Sequence, residues 1–102
     1  MTDLLQKLIA IPSLSRDEKA VADFLEAWLS AHGMGPHRHG NNLWCSCGEG
    51  PVILMDAHID TVRPVAGWTR DPFTPSVEGG RLYGLGSNDD GASVVALIEA
   101  FR

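Results

Sequence analysis

The chain has 102 residues, 44% of them hydrophobic, which suits one small globular domain with a thin core. Eight Lys and Arg against thirteen Asp and Glu leave a net charge of −5, with no basic run to track a phosphate backbone, so nucleic acid is not an expected partner. No stretch approaches the roughly 20 apolar residues of a membrane span, and Met1-Thr2-Asp3 lacks the basic start of a secretory signal, so no membrane contact and a cytoplasmic location are expected.

Leu4, Leu5, Leu8, Ile9 and Ile11 recur at helical spacing behind Thr2, a candidate N-cap, and Pro12 ends the pattern. Ser15-Arg16-Asp17-Glu18 reads as an N-cap with a capping box. The stripe Val21, Phe24, Leu25, Trp28 and Leu29 then predicts a second helix running to about His32 and closed by Gly33. From Pro36 the period changes to two. His37-Arg38-His39, Gly40-Asn41-Asn42 and Leu43 to Cys47 predict a hairpin. Cys45 and Cys47 are too close in sequence for an easy mutual bridge and fit a reducing compartment.

The run Val52-Ile53-Leu54-Met55 has the continuous apolarity of a strand buried on both faces in an α/β sheet. Its carboxyl end carries Asp56-Ala57-His58-Ile59-Asp60, and that end of a strand is where ligands usually bind in open α/β sheets. Pro64, Pro72, Pro75 and Gly67 mark a loop, Gly79-Gly80 a hairpin turn, and Arg81-Leu82-Tyr83 a short strand. After Gly84, Gly86 and Gly91 around Ser87-Asn88-Asp89-Asp90, a last helix begins at Ala92, with Val94, Val95, Leu97, Ile98 and Phe101 apolar. The absence of a stop signal after that helix, and an apolar strand needing cover on both faces, lead us to expect a truncated chain.

Residues i and i+2 of a strand face one side, so His58 and Asp60 can address a single site. An imidazole is a common zinc ligand, and a carboxylate two residues on can ligate as well or hold the imidazole in place. Asp89 stands at a helix entry behind a glycine-rich turn that admits a close approach, although by itself it reads first as a helix cap. An apolar strand ending in His-x-Asp combined with Gly-x-Gly-x-x-Asp at a helix entry is far more specific than either half.

On these residues the chain resembles the M20 family of metal-dependent amidohydrolases and peptidases. His58-Ile59-Asp60-Thr61-Val62 matches the family's H-x-D-T-V, Gly84-Leu85-Gly86-Ser87-Asn88-Asp89 matches its G-x-G-x-x-D, and Trp68 to Phe73 is similar to the loop between them. With Asn41-Asn42-Leu43-Trp44, these segments are most similar to the acetylornithine-deacetylase-like branch. The resemblance implies a three-layer αβα, mixed-sheet zinc-peptidase-like catalytic domain of which residues 1–102 are the N-terminal portion. It implies His58 as ligand to one metal, Asp89 as the carboxylate bridging two, and Asp60 as the catalytic acid that supports His58 from behind. Zn2+, with Co2+ as the alternative, would be the cofactor, an N-acyl amino acid such as N-acetylornithine the small-molecule substrate, and a homodimer the full-length form. A dipeptidase, carboxypeptidase or desuccinylase activity is the alternative within the family.

Two positions depart from the family pattern. Asp89-Asp90-Gly91 lacks the lysine of the usual Asp-x-Lys-Gly and is one residue shorter, and Arg63 stands between the first motif and Pro64. The Glu-Glu pair that provides the family's general base has no counterpart, and Glu99, about two turns into the last helix, is expected to point elsewhere. With only His58 and Asp89 as ligands, where a catalytic zinc takes about three from the protein, the 102-residue chain alone is expected to be inactive. Two competing readings stand beside this one. His37, His39, Cys45 and Cys47 would form a Cys2His2 site if the hairpin loop had three residues, whereas a two-residue turn would put the histidines and cysteines on opposite faces. A non-catalytic binding module or pseudoenzyme that keeps the half-site is the other.

Overall fold

The computed structural model describes residues 1–102. It holds three helices and two small antiparallel sheets, in the order α1 (Thr2–Ile9), α2 (Lys19–Ala31), β1 (His37–His39), β2 (Asn42–Trp44), β3 (Ser76–Glu78), β4 (Arg81–Tyr83) and α3 (Gly91–Phe101). No helix is long and apolar enough to cross a membrane.

The helices form because each carries one apolar stripe, and the three stripes meet. Leu4 and Leu8 of α1, Val21 and Leu25 of α2, and Val94 and Val95 of α3 make one buried cluster, each such side chain contributing on the order of 1.5–3 kcal/mol. Only 11 of the 102 residues are buried, as the thin core predicted from length requires. The expected boundaries of α1 and the expected end of α2 hold to within two residues, whereas α2 starts three residues later than a cap at Ser15 would place it; Gly33 closes α2 with a φ of 74° that suits glycine.

The capping box does not form. The residue preceding α2 is Glu18, whose side chain accepts from the Arg16 N–H at 2.7 Å, and Ser15 lies outside the helix altogether. At the first hairpin, His37 pairs with Trp44, Arg38 with Leu43 and His39 with Asn42, so the turn has two residues, Gly40 and Asn41. The side chain of Arg38 locks this hairpin to α2 through Asp23 at 2.7 Å and Glu26 at 2.8 Å, and bonds the Gly40 carbonyl at 2.7 Å. In the second hairpin Glu78 faces Arg81 across Gly79-Gly80, the expected turn, but Ser76–Glu78 is a strand that the sequence placed within a loop. Arg70 braces it from outside, 2.8 Å from Glu78 and over the ring of Tyr83.

The largest correction concerns residues 52–55. They are not a buried strand: Val52, Ile53 and Leu54 are 84–90% exposed and pair with nothing. A strand buried on both faces needs neighbours for its backbone as well as covers for its side chains. Neither sheet provides them, since each is a two-stranded antiparallel hairpin and no mixed sheet is formed among these residues. Order returns at residue 57, where Ala57 and Ile59 pack against the helical core. Thr61 forms a parallel bridge with Leu14, through Thr61 N–H to Ser13 O at 2.8 Å and Ser15 N–H to Thr61 O at 3.0 Å.

Candidate metal centre

Residues 57–61 alternate as a strand end should. Ala57 and Ile59 turn into the core, which directs His58 and Asp60 to the other side. The second segment of the site descends from β4 through a tight turn in which Gly86, at a φ of +78°, packs against the side chain of Thr61; a Cβ added there would lie 2.8 Å from Thr61 Cγ2. The Gly91 N–H bonds the Gly86 carbonyl at 2.9 Å and starts α3. Asp89 and Asp90, joined by a cis peptide, occupy that turn.

These two segments bring the three sequence-predicted residues together. His58 Nε2 is 3.1 Å from Asp89 Oδ1, and His58 Nδ1 is 3.1 Å both from Asp60 Oδ1 and from the Asp60 carbonyl oxygen. A carbonyl oxygen only accepts, so Nδ1 carries the proton and Nε2 presents its lone pair in the neutral ring, an assignment made from the partners. That lone pair faces a carboxylate oxygen. Two acceptors 3.1 Å apart are satisfied only by a cation between them or a proton on the ring, so the donor set fits a metal ion. Burial works against protonation of His58, but the hydrogen bonds to Asp60 and Asp89 and the charge of Asp90 outweigh it and raise its pKa above the ordinary value. Asp60 moves the other way, held below the usual carboxylate range first by the Ser15 hydroxyl and then by His58.

Two residues at the site were not singled out as functional from the sequence. Asp90 accepts from the His58 backbone N–H at 3.3 Å and places Oδ2 3.8 Å from His58 Nε2; its pKa is lowered chiefly by a hydrogen bond from Ser93. His58, Asp89 and Asp90 each offer an atom within 4.8 Å of the others', a group able to hold a metal ion. Ser15 donates its hydroxyl to Asp60 Oδ2. Adjacency to Asp89 was the one signal for Asp90, whereas Ser15, 45 residues before Asp60, gave none beyond its capping pattern.

The remaining candidates separate from this centre. The two-residue turn puts His37 and His39 on the face of Asn42 and Trp44, with His37 stacked on Trp44, while Cys45 and Cys47 lie beyond the end of β2. The turn is not the three-residue loop that a Cys2His2 site would need, and these four residues form no metal-holding group. Burial raises the Cys45 thiol above its ordinary pKa, which keeps it protonated and a poor ligand. Glu99 is engaged at the far end of α3 with Arg102 at 3.4 Å and the Met1 amine at 3.8 Å, away from the site as expected.

Residues 54–102 match the family model described as Peptidase family M20/M25/M40, a span that contains His58, Asp60, Asp89 and Asp90. Over 98% of its length the chain is 33% identical to a succinyl-diaminopimelate desuccinylase of Nitratiruptor sp., covering 29% of that protein. Over 96% of its length it is 40% identical to an enzyme of the same name from Stenotrophomonas maltophilia, covering 28%, and 35% identical to one from Wolinella succinogenes, also covering 28%. The chain thus spans a little under a third of the curated relatives it matches.

Proposed function

We propose, from the premise that these likenesses support a place in the M20 family and an enzymatic, metal-dependent amide hydrolysis, that the whole protein deacylates an N-acyl diamino acid and that this chain supplies the N-terminal part of its catalytic domain. The observation that carries the reading is the His58 ring, held by Asp60 through Nδ1 with Nε2 aimed at Asp89. His58 and Asp89 are the metal ligands in this reading, Asp89 bridging, with Asp60 orienting the imidazole and raising its basicity. Zinc is the favoured ion for an imidazole–carboxylate set, and cobalt suits the same donors. When bound, the metal supplies Lewis-acid polarisation of the amide and lowers the pKa of an attacking water. The chain's own part is to orient and to hold: Asp60 keeps the proton on Nδ1, and the Gly86 turn keeps Asp89 at its distance from His58. His58 and Asp89, even with Asp90 beside them, leave a two-metal site short of ligands, so further ligands and the general base are assigned to segments outside these 102 residues.

For the substrate, an N-succinyl diamino acid of the diaminopimelate class takes precedence over N-acetylornithine, because the relatives named above share the desuccinylase name while the branch resemblance rested on short segments. The remainder of the three-layer domain, and a homodimer, belong to this same proposal. The test is turnover by the full-length protein loaded with zinc, given N-succinyl-diaminopimelate and N-acetylornithine in parallel, with His58→Ala as control. Hydrolysis of the succinyl substrate, lost by His58→Ala by a factor of at least 10² as expected for a ligand, supports the proposal. Preference for N-acetylornithine returns the substrate to the other branch, and the absence of hydrolysis of either overturns the reading.

A further inference from the structure

Ser15 is an exposed residue on the connection between α1 and α2, where a hydroxyl would ordinarily cap the coming helix or face water. It does neither. Helix α2 starts four residues later behind Glu18 without a side-chain cap, and the Ser15 hydroxyl donates to Asp60 Oδ2. The contact is imposed by the backbone. The Ser15 N–H bonds the Thr61 carbonyl at 3.0 Å, and the Thr61 N–H bonds the carbonyl of Ser13, itself buried, at 2.8 Å, so the two segments run parallel in register and the Ser15 side chain is delivered beside Asp60.

The consequence lies in how a carboxylate turns. Asp60 has two oxygens about one rotatable bond, and a single partner would leave the group free to rotate away from the ring. Here Oδ1 faces His58 Nδ1 at 3.1 Å while Oδ2 is taken by Ser15, so the plane of the carboxylate is held from both ends. We infer that Ser15 is a positioning residue of the metal centre: by anchoring Asp60 Oδ2 it keeps Oδ1 against His58 Nδ1, whose tautomer the Asp60 carbonyl already sets, and so holds the imidazole in the direction that leaves Nε2 to the metal. This rests on the reading of His58 as a metal ligand. It makes the α1–α2 connection, remote in sequence, part of the machinery that sets metal affinity.

The measurement is zinc affinity of the metal-free full-length protein, by competition with a chromophoric chelator, with zinc ion alone as the probe. Partners behind metal ligands typically change affinity by about 10- to 100-fold, and Ser15 acts one step further out, so Ser15→Ala is expected to weaken zinc about tenfold. The exposed site leaves no cavity on truncation, and far-ultraviolet circular dichroism checks the fold. Ser15→Thr keeps the hydroxyl and should bind within twofold of the parent, while Ser15→Val, of the same shape, should lose what Ser15→Ala loses. Because Ser15 acts through Asp60, adding Ser15→Ala to Asp60→Asn should weaken zinc by less than twofold further. Parental zinc affinity in both Ser15→Ala and Ser15→Val, or a loss fully additive to that of Asp60→Asn, would overturn the inference while leaving the centre standing. Parental affinity in His58→Ala would overturn the metal-site reading itself, and the role of Ser15 with it.

Discussion

Replacing Gly86 by alanine tests whether the spacing between the two halves of the centre is set by one close contact. At a φ of +78° an alanine costs about 1–2 kcal/mol. Its Cβ would also lie 2.8 Å from Thr61 Cγ2, well inside the roughly 3.5–4.0 Å at which carbon atoms rest. Relieving that overlap should cost a further 1–3 kcal/mol or so, as overpacking does. Gly80 provides the control, since its φ is +75° and an added Cβ would meet nothing within 4 Å. Urea unfolding of the two variants should therefore show Gly80→Ala losing about 1–2 kcal/mol and Gly86→Ala roughly 2–5 kcal/mol. Zinc affinity should fall for Gly86→Ala alone, because the relief moves the turn that carries Asp89 away from the strand end that carries His58. Equal destabilisation by the two variants, or parental zinc affinity in Gly86→Ala, would refute the contact as the spacer.

Three further outcomes follow from the geometry. The Asp23 carboxyl is held below its ordinary pKa of 3.8 first by the Lys19 hydrogen bond and then by Arg38. Its contribution is thus complete above the unfolded value and is lost as pH falls through the lower folded one, so the urea midpoint should drop below about pH 4 by less in Asp23→Asn than in the parent. Changing both Cys45 and Cys47 to serine should leave zinc affinity within twofold, because both lie beyond β2 and neither belongs to the group of His58, Asp89 and Asp90; a tenfold loss in the same competition assay would contradict this. Zinc uptake should release more protons at pH 6 than at pH 9, since the metal displaces the proton that Asp60 and Asp89 favour on His58; calorimetry in buffers of different ionisation enthalpy reads this directly, and a pH-independent release would oppose it.

The parts of the fold that were legible in the sequence are those whose signal is local. The stripes of α1, α2 and α3 need only a 3.6-residue period, and the turn Gly79-Gly80 needs only residues that accept positive φ, whereas the first hairpin was legible but the length of its turn was not. Residues 52–55 were misread because apolarity reports what a segment would bury, not whether a neighbouring strand is there to pair with it. The same division runs through the site. His58 and Asp60 are two residues apart and Asp89 sits in a glycine-rich turn, so a spacing argument reaches all three. Ser15 and Asp60 meet only because Ser13, Ser15 and Thr61 exchange backbone hydrogen bonds, and that register is written in no short pattern.

The same register accounts for how a centre can be ordered on a segment whose neighbouring run, 52–55, pairs with nothing. Residues 57–61 borrow their rigidity from helices: Ala57 and Ile59 rest on the core formed by α1, α2 and α3, Thr61 is tied to the α1–α2 connection, and the His58 N–H is taken by Asp90 at the entry to α3. Each tether lies on the inner side of the segment. The outer side stays open, with the His58 side chain 53% and the Asp89 side chain 85% exposed. A structural metal site is closed by its ligands, whereas a catalytic one keeps a position free for water and substrate. On the reading proposed above, donors anchored from behind and uncovered in front suit a catalytic metal better than a structural one.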